Sequence, residues 1–325
     1  MELYPLKFEP QYFEKIWGGT RIKKHFNRED INFENCGESW EISGVEGKES
    51  IVSNGFLKGN NLNELIEIYM DDLLGHKVFE HFGNEFPLLL KFIDADDFLS
   101  IQVHPDDKLA YQRHKSYGKT EMWYVLDAEK ESFLINGFNK NISKEEYLFH
   151  LKENSLTDVL EKVPVKSGDA TFIPAGRVHA IGKGILLAEI QQTSDITYRI
   201  FDWNRLDDQG NPRDLHTEEA LDAIDFSKVK EPLAEYHALP NQSAKVISCP
   251  YFSCNVLLFD KYVEKVFVGI DSFVIYMVVE GAFTVHYDGG SEVVKSGETI
   301  LIPACIEELS FDPIMPSKVL EVYIP

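Results

Sequence analysis

The chain has 325 residues, 44% of them hydrophobic and 12% aromatic, which is typical of a packed globular protein and excludes a largely disordered one. Its formal net charge of -22 at pH 7 argues against a nucleic-acid partner. Proteins bind nucleic acids largely through Lys and Arg side chains that contact the phosphates. The length suits about two ordinary domains.

No apolar run approaches the roughly 18 residues that cross a bilayer, so we expect no membrane-spanning segment. The first residues, MELYPLKFEPQYFEK, contain acidic side chains and no long apolar core, unlike a secretory signal. The four cysteines form no CxxC pair and no dense framework. Reduced thiols in a cytoplasmic protein are the simplest interpretation.

Most of the chain is predicted to form strands separated by turns rich in Gly, Pro and Asp. The clearest strands are, in order, PLLLKFID, FLSIQVH, EMWYVLDA, ATFIPA, ILLAEIQQ, ITYRIFDW, FVIYMVVE, AFTVHYD, TILIPA and KVLEVYIP. Helices are predicted at 61–74, 106–116, 143–162 and 217–224, the last beginning at Thr217. The third is expected to be the longest, and Ser143 with Glu146 has the spacing of a capping box.

Residues 227–245 have little periodicity and many polar residues, so we place a domain boundary there. This predicts an N-terminal domain, 1–235, and a C-terminal domain, 236–325. The two domains share a repeated phrase: KSGDATFIPAGRVH at 166–179 and KSGETILIPACIEE at 295–308. The second copy has Cys305 and Glu308 where the first has Gly176 and His179. We therefore expect two copies of one fold, of which only the first binds metal.

Strand alternation in the first copy brings metal-binding side chains together. Gln102 and His104 share one face of the strand FLSIQVH, and Glu121 lies on the strand that follows GKT. His179 comes just after the turn of the repeat. These four side chains offer two nitrogens and two oxygens to one point, a mixture that zinc binds in roughly tetrahedral geometry. Iron and manganese fit the same ligands about as well.

This combination resembles the two sequence motifs of cupins, small jelly-roll barrels that hold a metal inside. The second copy matches only at Gly297 and Pro303. The resemblance implies a mainly β protein of two cupin barrels, with a few helices inserted in the N-terminal part and a degenerate, metal-free C-terminal barrel.

Seven segments in order resemble the short bacterial form of the type I mannose-6-phosphate isomerases (phosphomannose isomerases). They are KIWGG at 15–19, GESWEIS at 37–43, FPLLLKFIDA at 86–95, SIQVHP at 100–105, GKTEMWY at 118–124, IPAGRVHAIG at 173–182 and AEIQQTSDITYRIFDW at 188–203. The resemblance implies an isomerase of carbohydrate metabolism that interconverts mannose 6-phosphate and fructose 6-phosphate through a cis-enediol.

The family's zinc ligands fall on the four residues reached above from alternation, Gln102, His104, Glu121 and His179, with one Zn²⁺ per chain. A histidine is usual in cupins where Gln102 stands, so the other three are the firmer ligands. The active-site arginine of the family falls on Arg199. Residues 189–199 alternate, which predicts a polar face from Glu189 to Arg199. Alternation alone would favour a solvent-exposed face, whereas the resemblance implies that this face lines the cavity.

The reaction needs a base that moves a proton between C2 and C1, and Lys119 and Glu189 both remain candidates. A lysine close to a divalent cation has a lowered pKa, whereas Glu189 could equally serve in ring opening. The resemblance assigns the phosphate of the sugar to Ser100 and Lys91; an internal salt bridge is the alternative for Lys91, which lies in an apolar strand.

Other classes of protein share some of these features. An isomerase of another sugar phosphate or of free mannose is the nearest alternative. A cupin oxygenase usually has three histidines and a glutamate, and this chain offers two histidines. A non-catalytic sugar-binding bicupin would be expected to lack a complete ligand set. The sequence does not address the oligomeric state.

Overall fold

The structure, a computed structural model, describes residues 3–206 and 209–325 and is mainly β with a few helices, as predicted. The strands are β1 (Leu6–Lys7), β2 (Gln11–Gly19), β3 (Cys36–Ser43), β4 (Leu88–Ala95), β5 (Ile101–Val103), β6 (Glu121–Ala128), β7 (Phe133–Phe138), β8 (Leu160–Pro164), β9 (Ala170–Ile173), β10 (His179–Ile181), β11 (Ile185–Gln192), β12 (Tyr198–Phe201), β13 (Gln242–Ser248), β14 (Ser253–Phe259), β15 (Val263–Val266), β16 (Val274–Tyr287), β17 (Gly290–Lys295), β18 (Thr299–Ile302) and β19 (Glu308–Tyr323).

The helices are α1 (Arg21–Phe26), α2 (Leu62–Leu74), α3 (His76–Phe82), α4 (Asp107–His114), α5 (Lys144–Lys152) and α6 (Thr217–Ala223). The short helices α1 and α3 had no counterpart in the sequence prediction. Within the two described stretches, none of the helices is both long and apolar enough to cross a membrane.

The prediction of one long helix over 143–162 was wrong. Its start is confirmed, because Ser143 and Glu146 form both hydrogen bonds of the capping box. The helix ends at Lys152, since Asn154 adopts a left-handed backbone with φ of 52°. A 3₁₀ turn follows, and residues 160–164 then form β8, which pairs with β7.

The chain divides into two compact units. The first unit comprises Tyr12–Ser39 and Leu90–Ala234; the second comprises the residues up to Gln11, Trp40–Leu89 and Glu235–Pro325. The chain passes from one unit to the other within β3 and again within β4. The sequence pattern predicted one domain boundary near residue 235. It did not indicate that the segments up to Gln11 and 40–89 belong to the second unit.

Two antiparallel sheets build the first unit. One has the strand order β12-β5-β10-β7-β8 and the other the order β2-β3-β4-β11-β6-β9. Side chains from both sheets meet in a core that includes Ile93, Trp123, Leu134 and Ile181. Strands β4 and β11 are buried along their whole length, which explains their nearly continuous apolar sequences.

The polar alternation over 189–199 does not belong to a single strand. Strand β11 ends at Gln192, and β12, which carries Arg199, lies in the other sheet. Glu189 and Arg199 therefore approach the interior from two different sheets, and the interpretation of one polar strand face was wrong.

An eight-stranded sheet dominates the second unit, with β1 paired to β18 and the long strands β16 and β19 paired along most of their length. The repeated phrase has the same local structure in both units. Gly168 and Gly297 have φ of +91° and +86°, a conformation that glycine adopts without strain. The strands that follow, β9 and β18, both end directly before the proline of the repeat.

Candidate metal centre

The predicted ligands come from both sheets of the first unit, and the cross-strand register shows which of them share a face. Gln102 on β5 lies opposite His179 on β10, so the two side chains share a face. His104 follows two residues after Gln102 and returns to that face. Glu121 begins β6 in the other sheet, opposite Gln191 of β11.

Backbone carbonyls fix the orientation of both imidazoles. Nδ1 of His104 lies 2.9 Å from the Ile196 carbonyl oxygen, and Nδ1 of His179 lies 2.8 Å from the Arg177 carbonyl oxygen. A carbonyl can only accept, so each Nδ1 carries the proton and donates. Each Nε2 therefore presents its lone pair to the interior, which is the usual arrangement of a metal-binding histidine.

The two Nε2 atoms converge on the carboxylate of Glu121. His104 Nε2 lies 3.4 Å from Oε2 of Glu121, and His179 Nε2 lies 3.3 Å from Oε1. The ring centroids of the histidines are 4.7 Å apart. Ligand atoms of the three residues all lie within 4.8 Å of one another.

Buried atoms without hydrogen bonds make this cluster a candidate cation site. Nε2 of His104 and both carboxylate oxygens of Glu121 are buried and have no hydrogen-bond partner among the described residues. Burying polar atoms without hydrogen bonds is costly. Lys119 lies 3.2 Å from one oxygen of Glu121, and a bound cation would satisfy all three atoms at once. Two imidazole nitrogens and a carboxylate are also a donor set that zinc accepts. The residues present therefore fit a divalent metal ion.

Charges around the cluster set its protonation state. Burial and the nearby Lys119 lower the pKa of His104 to about 3, against the opposing effect of Glu121, and burial likewise lowers the pKa of His179. Burial would raise the pKa of Glu121, but Lys119 and the two imidazoles hold it well below its ordinary value. At neutral pH the cluster has neutral histidines and an ionised carboxylate, the forms that bind metal.

Gln102 lies at the rim of this cluster. Its Nε2 is 3.2 Å from Nε2 of His179, and its Oε1 accepts a hydrogen bond of 3.3 Å from the Ser100 hydroxyl. The amide nitrogen thus faces the ligand position. An exchange of its two amide atoms would be required before the oxygen could reach a cation there.

The candidate acid–base residues lie beside the cluster. Nζ of Lys119 is 3.2 Å from Oε2 of Glu121 and is nearly buried. Glu189 accepts a 2.8 Å hydrogen bond from Nε1 of Trp123, and burial together with the charge of Glu121 raises its pKa. A raised carboxyl pKa lies closer to the range in which a general acid or base works.

Lys91 lies in an ion-pair network. Its Nζ is 3.3 Å from Oε1 of Glu189 and 3.8 Å from Oε2 of Glu38, and its side chain is 8% exposed. Burial alone would lower the pKa of Lys91, but the two carboxylates outweigh it and raise the pKa. The ion pair expected as the alternative for Lys91 is therefore present.

Arg199 lies directly opposite Gln102 across the β12–β5 pair, so its side chain emerges on the face that also carries His179. Burial, with the charge of Arg213, lowers the pKa of its guanidinium, although the ordinary value is so high that the group stays charged. The structure thus brings the predicted arginine to the row of side chains that holds the ligands.

Two residues near the site were not singled out as functional from the sequence. Trp123 contacts the His179 ring edge-on, with centroids 5.4 Å apart, besides donating to Glu189. Glu38 pairs with Lys91 and with Lys15. Alternation along β6 places Trp123 on the face of Glu121, a signal that could have found it. Glu38 offered no comparable signal.

Comparisons with known proteins support this architecture. A family model described as "Phosphomannose isomerase type I, catalytic domain" matches residues 5–139. The chain is 36% identical to the mannose-6-phosphate isomerase of Streptococcus mutans over 95% of each chain. It is 38% identical to mannose-6-phosphate isomerase ManA of Bacillus subtilis, over 78% of this chain and 79% of that protein. The crystal structure of the mannose 6-phosphate isomerase from B. subtilis superposes with a TM-score of 0.89 and 31% identity, covering 98% of this chain and 99% of the other.

A cupin barrel with a buried His–Glu–His cluster defines the class of protein. Given the extent of identity, the chain belongs to the type I mannose-6-phosphate isomerase family, and it is an enzyme of the aldose–ketose isomerase class.

Proposed function

We propose that this chain is a zinc-dependent enzyme that interconverts mannose 6-phosphate and fructose 6-phosphate through a cis-enediol, and that it works in the cytoplasm. The observation that carries the metal dependence is the convergence of His104, Glu121 and His179, three of whose buried ligand atoms make no hydrogen bond among the described residues. The substrate is inferred from the similarity to the mannose-6-phosphate isomerases of S. mutans and B. subtilis.

One zinc ion per chain would be held by His104, Glu121 and His179, with Gln102 as a fourth ligand after its amide exchanges orientation. When bound, zinc supplies a Lewis acid that polarises the oxygens on C1 and C2 of the open-chain sugar. The carbonyl hydrogen bonds at both Nδ1 atoms keep the imidazoles turned toward that ion.

The residues around the ligands supply the remaining chemistry. Arg199 carries a permanent charge on the ligand face and stabilises negative charge on the enediol oxygens. Lys119 and Glu189 are the two candidates for moving the proton between C2 and C1. The raised pKa of Glu189 supports that residue, and the position of Lys119 beside Glu121 supports the other. Ser100 and Lys91 are proposed phosphate contacts.

A coupled assay with mannose 6-phosphate tests the proposal. Activity should disappear on exhaustive chelation and return with about one equivalent of zinc per chain. Parallel additions of iron and manganese identify the preferred metal, and free mannose and other sugar phosphates identify the preferred substrate. Full activity after complete metal removal would contradict the metal dependence; turnover of another sugar alone would contradict the substrate.

Single variants separate the two candidate bases. If Glu189 moves the proton, Glu189→Gln should abolish exchange of the C2 hydrogen with solvent while Lys119→Met retains it. The reverse pattern assigns the base to Lys119. Equal exchange in both variants and the wild type would leave neither residue with this role.

We propose that residues 1–235 carry the catalytic site and that 236–325 form the metal-free barrel, with the segments up to Gln11 and 40–89 folded among the C-terminal strands. Zinc binding that survives removal of the C-terminal strands would support this division.

A further inference from the structure

His216 forms hydrogen bonds with the backbone of Arg199 on the unpaired edge of strand β12. Strand β12 lies at the edge of its sheet, next to β5. The Arg199 N–H donates to Nδ1 of His216 at 3.1 Å, and the His216 backbone N–H donates to the Arg199 carbonyl at 2.7 Å. One residue thus satisfies both backbone polar groups of Arg199, where a further strand would otherwise pair.

The two hydrogen bonds to His216 constrain the position of the Arg199 backbone, and hence of its Cβ atom. Because its N–H and C=O point to His216, Arg199 and Gln102 form a non-hydrogen-bonded pair, whose Cα atoms lie about 4.5 Å apart and whose side chains are closest. The register shifts between Arg199 and Phe201, immediately after this pair. Such an irregularity in register changes the direction of neighbouring side chains.

The segment 214–216 also contacts the guanidinium group of Arg199. Nη1 of Arg199 donates to the backbone carbonyl of Asp214 at 2.8 Å. Nε is buried and has no hydrogen-bond partner among the described residues, so one donor of the planar group remains for an oxygen atom. Residues 214–216 therefore fix Arg199 at its backbone and at its far end.

The His216 side chain does not cap the helix that follows it. His216 occupies the N-cap position of α6, yet its side chain makes no capping hydrogen bond there. Serine, threonine or aspartate would be the usual choice for capping alone. The imidazole is turned to Arg199, and it accepts there as a neutral ring with its proton on Nε2.

We propose that His216 is a positioning residue for Arg199: its Nδ1 lone pair holds the edge strand so that Arg199 stays opposite Gln102, on the face that also carries His179. This inference rests on the role of Arg199 in the proposed function. His216 acts only through Arg199, so its loss should affect turnover and leave metal binding intact.

Three substitutions at His216 test the contact. His216→Asn is the conservative change, because an asparagine Oδ1 lies as many bonds from the backbone as Nδ1 does and can accept, so this variant should retain turnover within about threefold. His216→Ala and His216→Gln should lower kcat about 10–100-fold, the scale of a 1 Å misplacement, with KM changed far less. Zinc content should stay at the wild-type level in all three.

His114→Ala is the matched control. The His114 ring contacts the hydroxyl of Tyr198, the neighbour of Arg199 on β12, at 2.8 Å without contacting Arg199. It should keep a wild-type kcat, although the strand loses a side-chain hydrogen bond. A similar loss in His114→Ala and His216→Ala would mean that any loosening of β12 suffices, and would overturn the proposal.

A double-mutant cycle distinguishes positioning from general stability. Arg199→Ala/His216→Ala should be no slower than Arg199→Ala alone, because residues that act as a unit are not additive. Additive losses, or a His216→Asn variant as slow as His216→Ala with unchanged thermal unfolding, would overturn the inference. Wild-type turnover in Arg199→Ala would instead refute the proposed role of Arg199 itself.

Discussion

The buried charge network around Lys91 allows a quantitative test. Lys91→Met removes a cation whose Nζ lies 3.3 Å from Glu189 and 3.8 Å from Glu38, in a side chain only 8% exposed. Methionine fills a similar volume but supplies no charge. Glu38 keeps its ion pair with Lys15, whereas the buried Glu189 loses its nearest cation, a change that typically costs about 3–5 kcal/mol of unfolding free energy.

The cost should depend on pH in a defined direction. Burial and Glu121 already raise the pKa of Glu189, and loss of Lys91 raises it further. The folded variant then holds this proton more tightly than the unfolded chain, so its stability falls as pH rises above the unfolded carboxyl pKa of about 4.3. The difference from the wild type should be largest near pH 8 and smallest near pH 5.

Urea unfolding at pH 5, 6.5 and 8 measures this difference. Lys91→Met/Glu189→Gln is the matched control, because it removes the cation and a principal partner together and should recover a large part of the loss at pH 8. A loss below about 1 kcal/mol at pH 8, or a loss equal at all three pH values, would refute the reasoning from the buried network.

Three further outcomes are expected. His104→Ala and His179→Ala should bind zinc at least about 100-fold more weakly than the wild type, measured by metal titration; unchanged affinity would show that the cluster is not the metal site. Arg199→Ala should keep its zinc and lose at least about 100-fold in kcat, and a wild-type rate would contradict its role. For Asp94, burial raises the pKa to about 6 from 3.8, so its ionisation destabilises the folded state as pH rises through this window. Asp94→Asn should therefore gain about 1–3 kcal/mol relative to the wild type between pH 4 and pH 7.5, measured by chemical unfolding; a constant difference would be inconsistent with that shift.

Local patterns predicted several strands well, and also the convergence of three proposed ligands. The segments EMWYVLDA and ILLAEIQQ became β6 and β11 with the predicted bounds, because apolar runs and turn residues mark both their ends. His104, Glu121 and His179 meet as predicted, since strand alternation fixes the face and the repeat fixes the turn. Each of these inferences needed only neighbouring residues.

Where long-range pairing decides the structure, the sequence pattern was insufficient. Residues 160–164 continue an amphipathic pattern that resembles a helix, yet pairing with β7 makes them a strand. The alternation from Glu189 to Arg199 did not reveal that the chain changes sheets between them. The contact between His216 and Arg199 joins residues 17 positions apart through a backbone N–H, which no residue pattern encodes.

The pairing of β1 with β18 has a consequence for synthesis of the protein. Leu6 lies opposite Leu301, so one of the first strands to leave the ribosome has its partner near the end of the chain. At about 5–20 residues per second, that strand waits roughly 15–60 s before it can pair. All residues of the first unit, including the His104, Glu121 and His179 cluster, have by then been made. The His–Glu–His cluster can therefore assemble before the second unit is complete, and a chain that stalls before β18 would leave β1 without its partner strand and open to aggregation.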